Sequence, residues 1–156
     1  MKLPALTPGL VIRYEYLWGH EYKAGQLDGS KARPCAVVII ADDQDGRRDI
    51  YVSPISHQEP EDGTGIPIPP KVADYLGLDD LGSWIVTTEV NQVTQIGDAI
   101  PPGIVPAFKT KDIFGHLPNS LLTSLLNVFR TNLAKGSVTS VSRDDDTANY
   151  RTSRGK

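Results

Sequence analysis

Cysteine and long apolar runs are nearly absent from this sequence of 156 residues. Its one cysteine, Cys35, excludes an internal disulfide framework and any zinc site built from several cysteines. The longest apolar runs are far shorter than the roughly 18 residues that a membrane-spanning helix needs. Residues 1–9 also lack the apolar core of a signal peptide. We therefore expect a soluble protein of the reducing cytoplasm, with no membrane attachment.

The sequence also has no large excess of charge of one sign. Its 16 Lys and Arg residues stand against 19 Asp and Glu residues, which gives a formal net charge of −3. This balance argues against a large non-specific contact with duplex DNA. A local basic site is compatible with it, because net charge averages over the whole surface. The length is that of about one domain.

Motifs that hold metals or nucleotides are missing too. Residues 42–46 are acidic, but they lack the spacing and the terminal glutamate of a calcium loop. His20 is followed by no second histidine at the spacing of a zinc-binding helix. No glycine-rich segment has the lysine of a P-loop. We therefore expect no metal and no cofactor.

Glycine, proline and short apolar segments are what the chain does contain. Its 12 prolines and 14 glycines favour short strands and turns over a helical bundle. Residues 10–18 alternate as a half-buried strand does, with an apolar face made of Leu10, Ile12, Tyr14, Tyr16 and Trp18. A polar loop follows at residues 19–31. Residues 34–41 are continuously apolar and predict a fully buried strand, and residues 50–55, after an Asp-Gly turn signal, predict its hairpin partner.

Two helices and three further strands are predicted later in the chain. Residues 70–76 begin at a proline and stop at Gly77, as a short helix does. Residues 118–135 form the one strong helix, which stops at Gly136. Its apolar face is made of Leu121, Leu122, Leu125, Leu126, Phe129 and Leu133. The strands are an edge strand at residues 66–69 and strands at residues 83–88 and 90–95.

The pattern as a whole predicts a mainly β (α+β) fold. Five or six short strands with one amphipathic helix at the end are typical of a small barrel that carries a packed helix. Residues 136–156 contain almost no apolar side chain and predict a disordered tail. We therefore divide the chain into a barrel domain at residues 1–135 and a tail at residues 136–156.

Four short motifs in a fixed order carry a resemblance. They are Gly19-His20-Glu21, Arg33-Pro34 at the head of the buried strand, Val52-Ser53-Pro54-Ile55-Ser56, and Gly115-His116-Leu117-Pro118 before the leucine-faced helix. In this order the motifs resemble the MazF/PemK/Kid family of toxin endoribonucleases, over about residues 8–134.

The resemblance implies an SH3-like antiparallel β-barrel with short helices and a C-terminal amphipathic helix. It also implies an mRNA interferase, the toxin of a type II toxin–antitoxin system, which cleaves single-stranded RNA without metal. The expected partners are a second copy of the chain, as a homodimer, and an acidic antitoxin protein. Arg33 and Ser56 fall on the family's principal catalytic positions, and His20 falls on a histidine that some members use. The substrate-binding candidates are Glu21, His57, Thr87 and Glu89.

The sequence departs from the family at three points. Ser56 stands where threonine is usual, so the hydroxyl is kept and the methyl group is lost. Thr87 and Glu89 stand where some members have arginine and aspartate, so a cation is missing at residue 87. The segment between Glu21 and Arg33 is several residues longer than is typical.

Cleavage of RNA without metal is chemically consistent with these residue types. The 2′-hydroxyl attacks the adjacent phosphate and needs a base, an acid and a cation over the phosphorane. The planar fork of Arg33 suits two phosphate oxygens, His20 suits proton transfer near neutral pH, and the Ser56 hydroxyl suits a hydrogen bond to the phosphate or the nucleophile. Arg33 opens one strand and Ser56 ends its hairpin neighbour, so we expect both at one rim of the barrel.

Two other classes of function stay open. One is a non-catalytic toxin on the same fold that binds DNA gyrase, and the other is a catalytically silent barrel that binds a protein. In those cases Arg33 is a solvated residue at a strand start, and Ser56 is a turn hydroxyl that bonds its own backbone. The pair of Arg33 and Ser56 favours the enzyme.

Overall fold

Antiparallel strands make up most of the fold. The computed structural model describes residues 6–25, 32–42, 45–61, 63–78, 81–97, 99, 101, 103–104 and 113–143. Within these ranges the strands are β1 Leu10–Glu15, β2 Ala32–Asp42, β3 Arg47–Ser56, β4 Ile66–Pro67, β5 Trp84–Ile85, β6 Glu89–Ile96, β7 Ile113–His116 and β8 Thr139–Ser142. The helices are α1 Gly19–Lys23, α2 Pro70–Leu76 and α3 Asn119–Ala134. The mainly β prediction is confirmed at this level.

The strands form one curled sheet in the shape of a half-barrel. Its main path runs β4-β5-β3-β2-β1-β7. Strand β3 is long enough to pair on one edge with β6 at residues 47–52 and with β5 at residues 55–56, while β2 occupies its other edge. Strand β8 joins β6 as a parallel pair, and the other pairs are antiparallel.

The predicted hairpin is confirmed as β2 and β3. Cys35 pairs with Pro54 and Val37 with Val52, and the register shifts between Val37 and Ile39. The continuous apolar run of β2 follows from its position, because β1 and β3 flank it and both faces of the sheet are covered.

Two apolar clusters cover the two faces of the sheet. The first carries the alternating face predicted for the first strand, with Ile12, Tyr14 and Tyr16 buried and Trp18 packed at its margin. The second cluster carries the opposite face, and helices α2 and α3 pack on it through side chains such as Leu76, Leu125 and Phe129. The period of two residues in the sequence therefore separates two real packing surfaces.

The two predicted helices are confirmed. Helix α2 keeps the predicted bounds, and Gly77 ends it in the left-handed conformation at φ 77°. Gly136, just beyond α3, also has a positive φ of 69°. Leu133, expected on the apolar face of α3, is 51% exposed. Among the described residues, no helix is long and apolar enough to cross a membrane.

The structure corrects several local predictions. The loop predicted at residues 19–31 contains helix α1, and residues 26–31 lie outside the described residues. Strand β7 was not predicted. The strands expected at residues 66–69 and 83–88 are two residues long each. Within the described residues, β4 pairs with β5, and β5 pairs with β4 and with the end of β3.

The predicted disorder of residues 136–156 is wrong for residues 139–142, which form β8. The strand forms because its backbone pairs with β6 and because the side chain of its own Val141 is buried. Arg143, the next residue after β8, is also buried and donates from Nη1 to the Glu15 carbonyl oxygen. Residues 144–156 lie outside the described residues, and the domain boundary at residue 136 stays a prediction.

Candidate functional site

Arg33 lies at the start of β2, and Ser56 is the last residue of β3. The pairing of β2 with β3 ends at Cys35 and Pro54. Beyond that pair, Arg33 pairs with Tyr14 of β1, and Ser56 pairs with Trp84 of β5. Directly opposite residues of an antiparallel pair point to the same face of the sheet. Cys35 and Pro54 thus share a face, and side chains two residues away along each strand, Arg33 and Ser56, fall on that face by alternation. That the two side chains meet at one rim stays a prediction.

The Arg33 guanidinium lies on an aromatic ring. Its Cζ is 5.2 Å from the ring centroid of Trp18, a distance at which a cation is attracted to the ring face. Its Nε is buried and has no hydrogen-bond partner among the described residues. A guanidinium held by its face keeps N–H donors in its plane for an anion. These donors make Arg33 a candidate for binding a phosphate group.

Ser56 is half-buried, and its hydroxyl already has one partner. Ser56 Oγ accepts a hydrogen bond from the backbone N–H of Gln58 at 3.0 Å. This is the local turn bond that the alternative interpretation of Ser56 expects. A hydroxyl has two lone pairs and one proton, so Ser56 still has a donor to offer to a phosphate oxygen.

His20 and Glu21 lie on helix α1, directly after Trp18. The Trp18 N–H donates to Glu21 Oε1 at 3.0 Å, so this carboxylate closes the first turn of the helix. His20 is exposed, and its ring lies at 22° to the Trp18 ring with the centroids 6.4 Å apart. Of these two candidates, His20 is the one whose side chain faces solvent beside the site.

Glu89 lies at the start of β6 and reaches the same segment. Its Oε1 accepts the N–H of Gly19 at 2.9 Å. Partial burial raises the pKa of Glu89 above its usual value, against the lowering effect of the Gly19 N–H. Burial, with the nearby charge of Glu89, also raises the pKa of the Tyr16 hydroxyl, which has no hydrogen-bond partner of normal geometry among the described residues. Glu89 is thus a half-buried carboxyl group with strengthened basicity.

Thr87 does not face the site. It is fully buried, and its Oγ1 donates to the Thr64 carbonyl oxygen at 2.9 Å. Asn132 Nδ2 on helix α3 donates to the Thr87 carbonyl oxygen, also at 2.9 Å. The substrate-binding assignment of Thr87 is therefore corrected, because its side chain joins the sheet to α3.

His57 is exposed just beyond β3. Its Nδ1–H donates to the Gly82 carbonyl oxygen at 2.8 Å, which ties the end of β3 to the segment before β5. His57 is the next residue after Ser56, and its ring hydrogen-bonds to the Gly82 carbonyl oxygen. Its role as a substrate-binding residue stays a prediction.

Trp18 and Asn91 are the residues that the sequence did not single out for function. Trp18 contacts Arg33 and His20, and its ring packs edge-on against Tyr16 at 5.1 Å. Asn91 is fully buried, and its amide accepts the N–H and donates to the carbonyl oxygen of Leu17. A polar residue at an inward position of the apolar β6 pattern was the available signal for Asn91.

Two other features fail as catalytic candidates. Burial raises the pKa of the Cys35 thiol, so this residue is inert. An apolar pocket of about 370 Å³ lies beside α3, with Ile39, Tyr51, Phe129 and Leu133 among its lining residues. No charged side chain lines it. Within the described ranges, no three His, Cys, Asp or Glu side chains are grouped as metal ligands would be.

No model of a known protein family matches this chain, and no curated protein matches it either. The likeness to the MazF/PemK/Kid family therefore rests on the short motifs alone.

Proposed function

We propose that this protein is a toxin endoribonuclease, which cleaves single-stranded RNA without metal on an SH3-like barrel. The observation that supports it most is that the pairing of β2 with β3 ends at Cys35 and Pro54, two residues from Arg33 and two residues from Ser56. Trp18 then connects Arg33 to His20, and the next residue, Gly19, binds Glu89. A phosphate-binding cation, a hydroxyl and two proton-exchanging groups thus belong to one neighbourhood.

Each group has a defined task in this proposal. Arg33 binds two non-bridging oxygens and neutralises the charge that grows on the phosphorane. Ser56 donates a hydrogen bond that orients the phosphate. Glu89 accepts the proton of the 2′-hydroxyl while the 2′-oxygen forms its bond to phosphorus. His20 gives a proton to the 5′-oxygen as the bond from phosphorus to that oxygen breaks. The products are a 2′,3′-cyclic phosphate and a free 5′-hydroxyl, and the 2′-hydroxyl requirement selects RNA over DNA.

Single-stranded RNA incubated with the purified chain and EDTA tests the reaction. We expect cleavage products that end in a 2′,3′-cyclic phosphate, and no cleavage where the linkage is 2′-deoxy. Arg33→Lys keeps the charge but loses the fork, so its kcat should fall by about 10²–10³, nearly as far as that of Arg33→Ala. Arg130→Lys is the matched control, because Arg130 is exposed on α3. Unchanged cleavage by Arg33→Ala, or cleavage of the 2′-deoxy linkage, would overturn the mechanism.

The partner of such a toxin is an acidic antitoxin. A site that takes a polyanionic strand also attracts an acidic peptide that folds on binding. We expect binding to depend on the acidic segment of that partner. An antitoxin that binds equally well after loss of this segment would exclude competition at the RNA site.

A silent binding module on the same fold is the second candidate. Two observations favour it: the Ser56 hydroxyl is already bonded to Gln58, and position 87 carries a buried threonine in place of a cation. The two candidates separate in the cleavage assay, because the module binds a partner and leaves RNA intact.

A further inference from the structure

Residues 17–19 are held in place by three side chains from elsewhere in the site. Asn91 binds both backbone groups of Leu17, Glu21 accepts the N–H of Trp18, and Glu89 accepts the N–H of Gly19. A Cβ on Gly19 would lie 3.0 Å from Glu89 Oε2, so glycine permits this close approach. Side chains therefore anchor three consecutive backbone positions, which limits the movement of the segment that carries the Trp18 ring.

The aromatic rings on this segment form a series from the core to the surface. Tyr14 and Tyr16 are buried and pack edge to face, with centroids 6.5 Å apart. Tyr16 supports Trp18 in the same way, and Trp18 leads to the exposed ring of His20, which is nearly parallel to it. Arg33 lies against the same Trp18 ring. The surface end of the series therefore presents aromatic faces next to a cation.

We propose that the rings of Trp18 and His20, beside Arg33, form a stacking subsite for an unstacked nucleobase of single-stranded RNA. The subsite rests on the proposed function, because it takes the base next to the phosphate that Arg33 holds. Aromatic side chains next to a cationic group are the combination that binds single strands, since every base has a π-face. Rigid anchoring lowers the cost of ordering the site on binding.

Tryptophan fluorescence reports this subsite directly. In a Trp84→Phe background, Trp18 is the one remaining tryptophan, because the chain has two. The probe is a fully 2′-O-methyl RNA oligonucleotide, which blocks attack at every linkage. Its partner is an oligonucleotide of the same length and charge without bases. We expect the base-bearing strand to quench Trp18 fluorescence and the abasic strand to bind more weakly without quenching.

Two His20 variants separate stacking from proton transfer. His20→Ala should weaken binding of the base-bearing strand by about 5- to 150-fold, the range for loss of one stacked base. His20→Phe keeps a ring and loses the titratable nitrogen, so it should retain binding and lose cleavage. His116→Ala is the control, because His116 is exposed and binds Thr7 instead.

The outcomes distinguish this subsite from the reaction itself. Equal binding of the base-bearing and abasic strands, or unchanged binding by His20→Ala, overturns the subsite even if unmodified RNA is cleaved. Quenching by the base-bearing strand without any cleavage of unmodified RNA supports the subsite and overturns the endoribonuclease.

Discussion

Ser56 is the residue at which the catalytic and structural interpretations meet. Its hydroxyl accepts the Gln58 N–H, and threonine at this position keeps that hydroxyl. We expect Ser56→Thr to cleave RNA and Ser56→Ala to lose about 10²–10³ in kcat. Melting temperature, measured alongside cleavage, separates the two roles. If Ser56→Ala has a lower melting temperature but cleaves RNA at the original rate, the hydroxyl stabilises the turn and has no role in cleavage.

The raised pKa of Glu89 predicts how the stability of the fold depends on pH. Burial raises its pKa in the folded chain, so the folded state binds this proton more tightly than the unfolded state does. The contribution of Glu89 to stability therefore falls as the pH rises from the usual glutamate range through the raised pKa. The groups that modify this titration are Tyr16, His20 and Glu21.

Glu89→Gln removes the titration and keeps an oxygen for the Gly19 N–H. We expect the melting temperature of this variant, relative to the original chain, to increase as the pH rises from the usual glutamate range, because Glu89 loses its proton there and glutamine has none to lose. Cleavage should be lost at every pH if Glu89 is the base. Glu59→Gln is the control, because Glu59 is exposed. A difference in melting temperature that stays constant with pH would contradict the burial argument.

Among the strands and helices, sequence patterns predicted those whose own residues show an apolar period or a proline or glycine at their ends. The alternation of residues 10–18 predicted β1, and proline and glycine bounded α2. Strand β8 has no such signal, because its polar residues gain order by pairing with β6. The sequence pattern did not predict helix α1 either, because one of the two carboxylates that bind the N–H groups at its start, Glu89, is far away in the chain.

Strand β8 can be tested by truncation and by one substitution. Val141→Ala should lower the free energy of unfolding by roughly 1–3 kcal/mol, because it opens a cavity beneath the sheet. Thr139→Ala, at an exposed position of the same strand, should change it little. A chain that ends at residue 143 should be as stable as the full chain, whereas one that ends at residue 136 should be much less stable. Equal stability of the two truncations to denaturant would show that β8 does not contribute to the fold.

For the whole molecule, we expect a homodimer. Tyr14 and Tyr16 of the first strand are buried within a single chain, so they need no second copy to cover them. The resemblance to the toxin family is the support for the homodimer, and specific, stable protein–protein interfaces bury upwards of about 1,200 Å². Light scattering at tens of micromolar should give twice the chain mass of 17.0 kDa. A mass of one chain would make the homodimer wrong and leave the site to act within a monomer.

The sequence by itself determined the elements with local period and stop signals, and through the hairpin it predicted Arg33 beside Ser56. Those features depend on neighbours within a few residues or on one short turn. Only the tertiary structure decided that Thr87 is buried against α3, that Trp18 supports Arg33 and His20, and that Asn91 and Glu89 anchor residues 17–19. These contacts join residues up to 74 positions apart, and a distance of that kind leaves no periodic trace in the chain. The position in the folded sheet therefore decides that Glu89, near Gly19, stays a candidate for proton transfer, whereas the buried Thr87 does not stay a candidate for substrate binding.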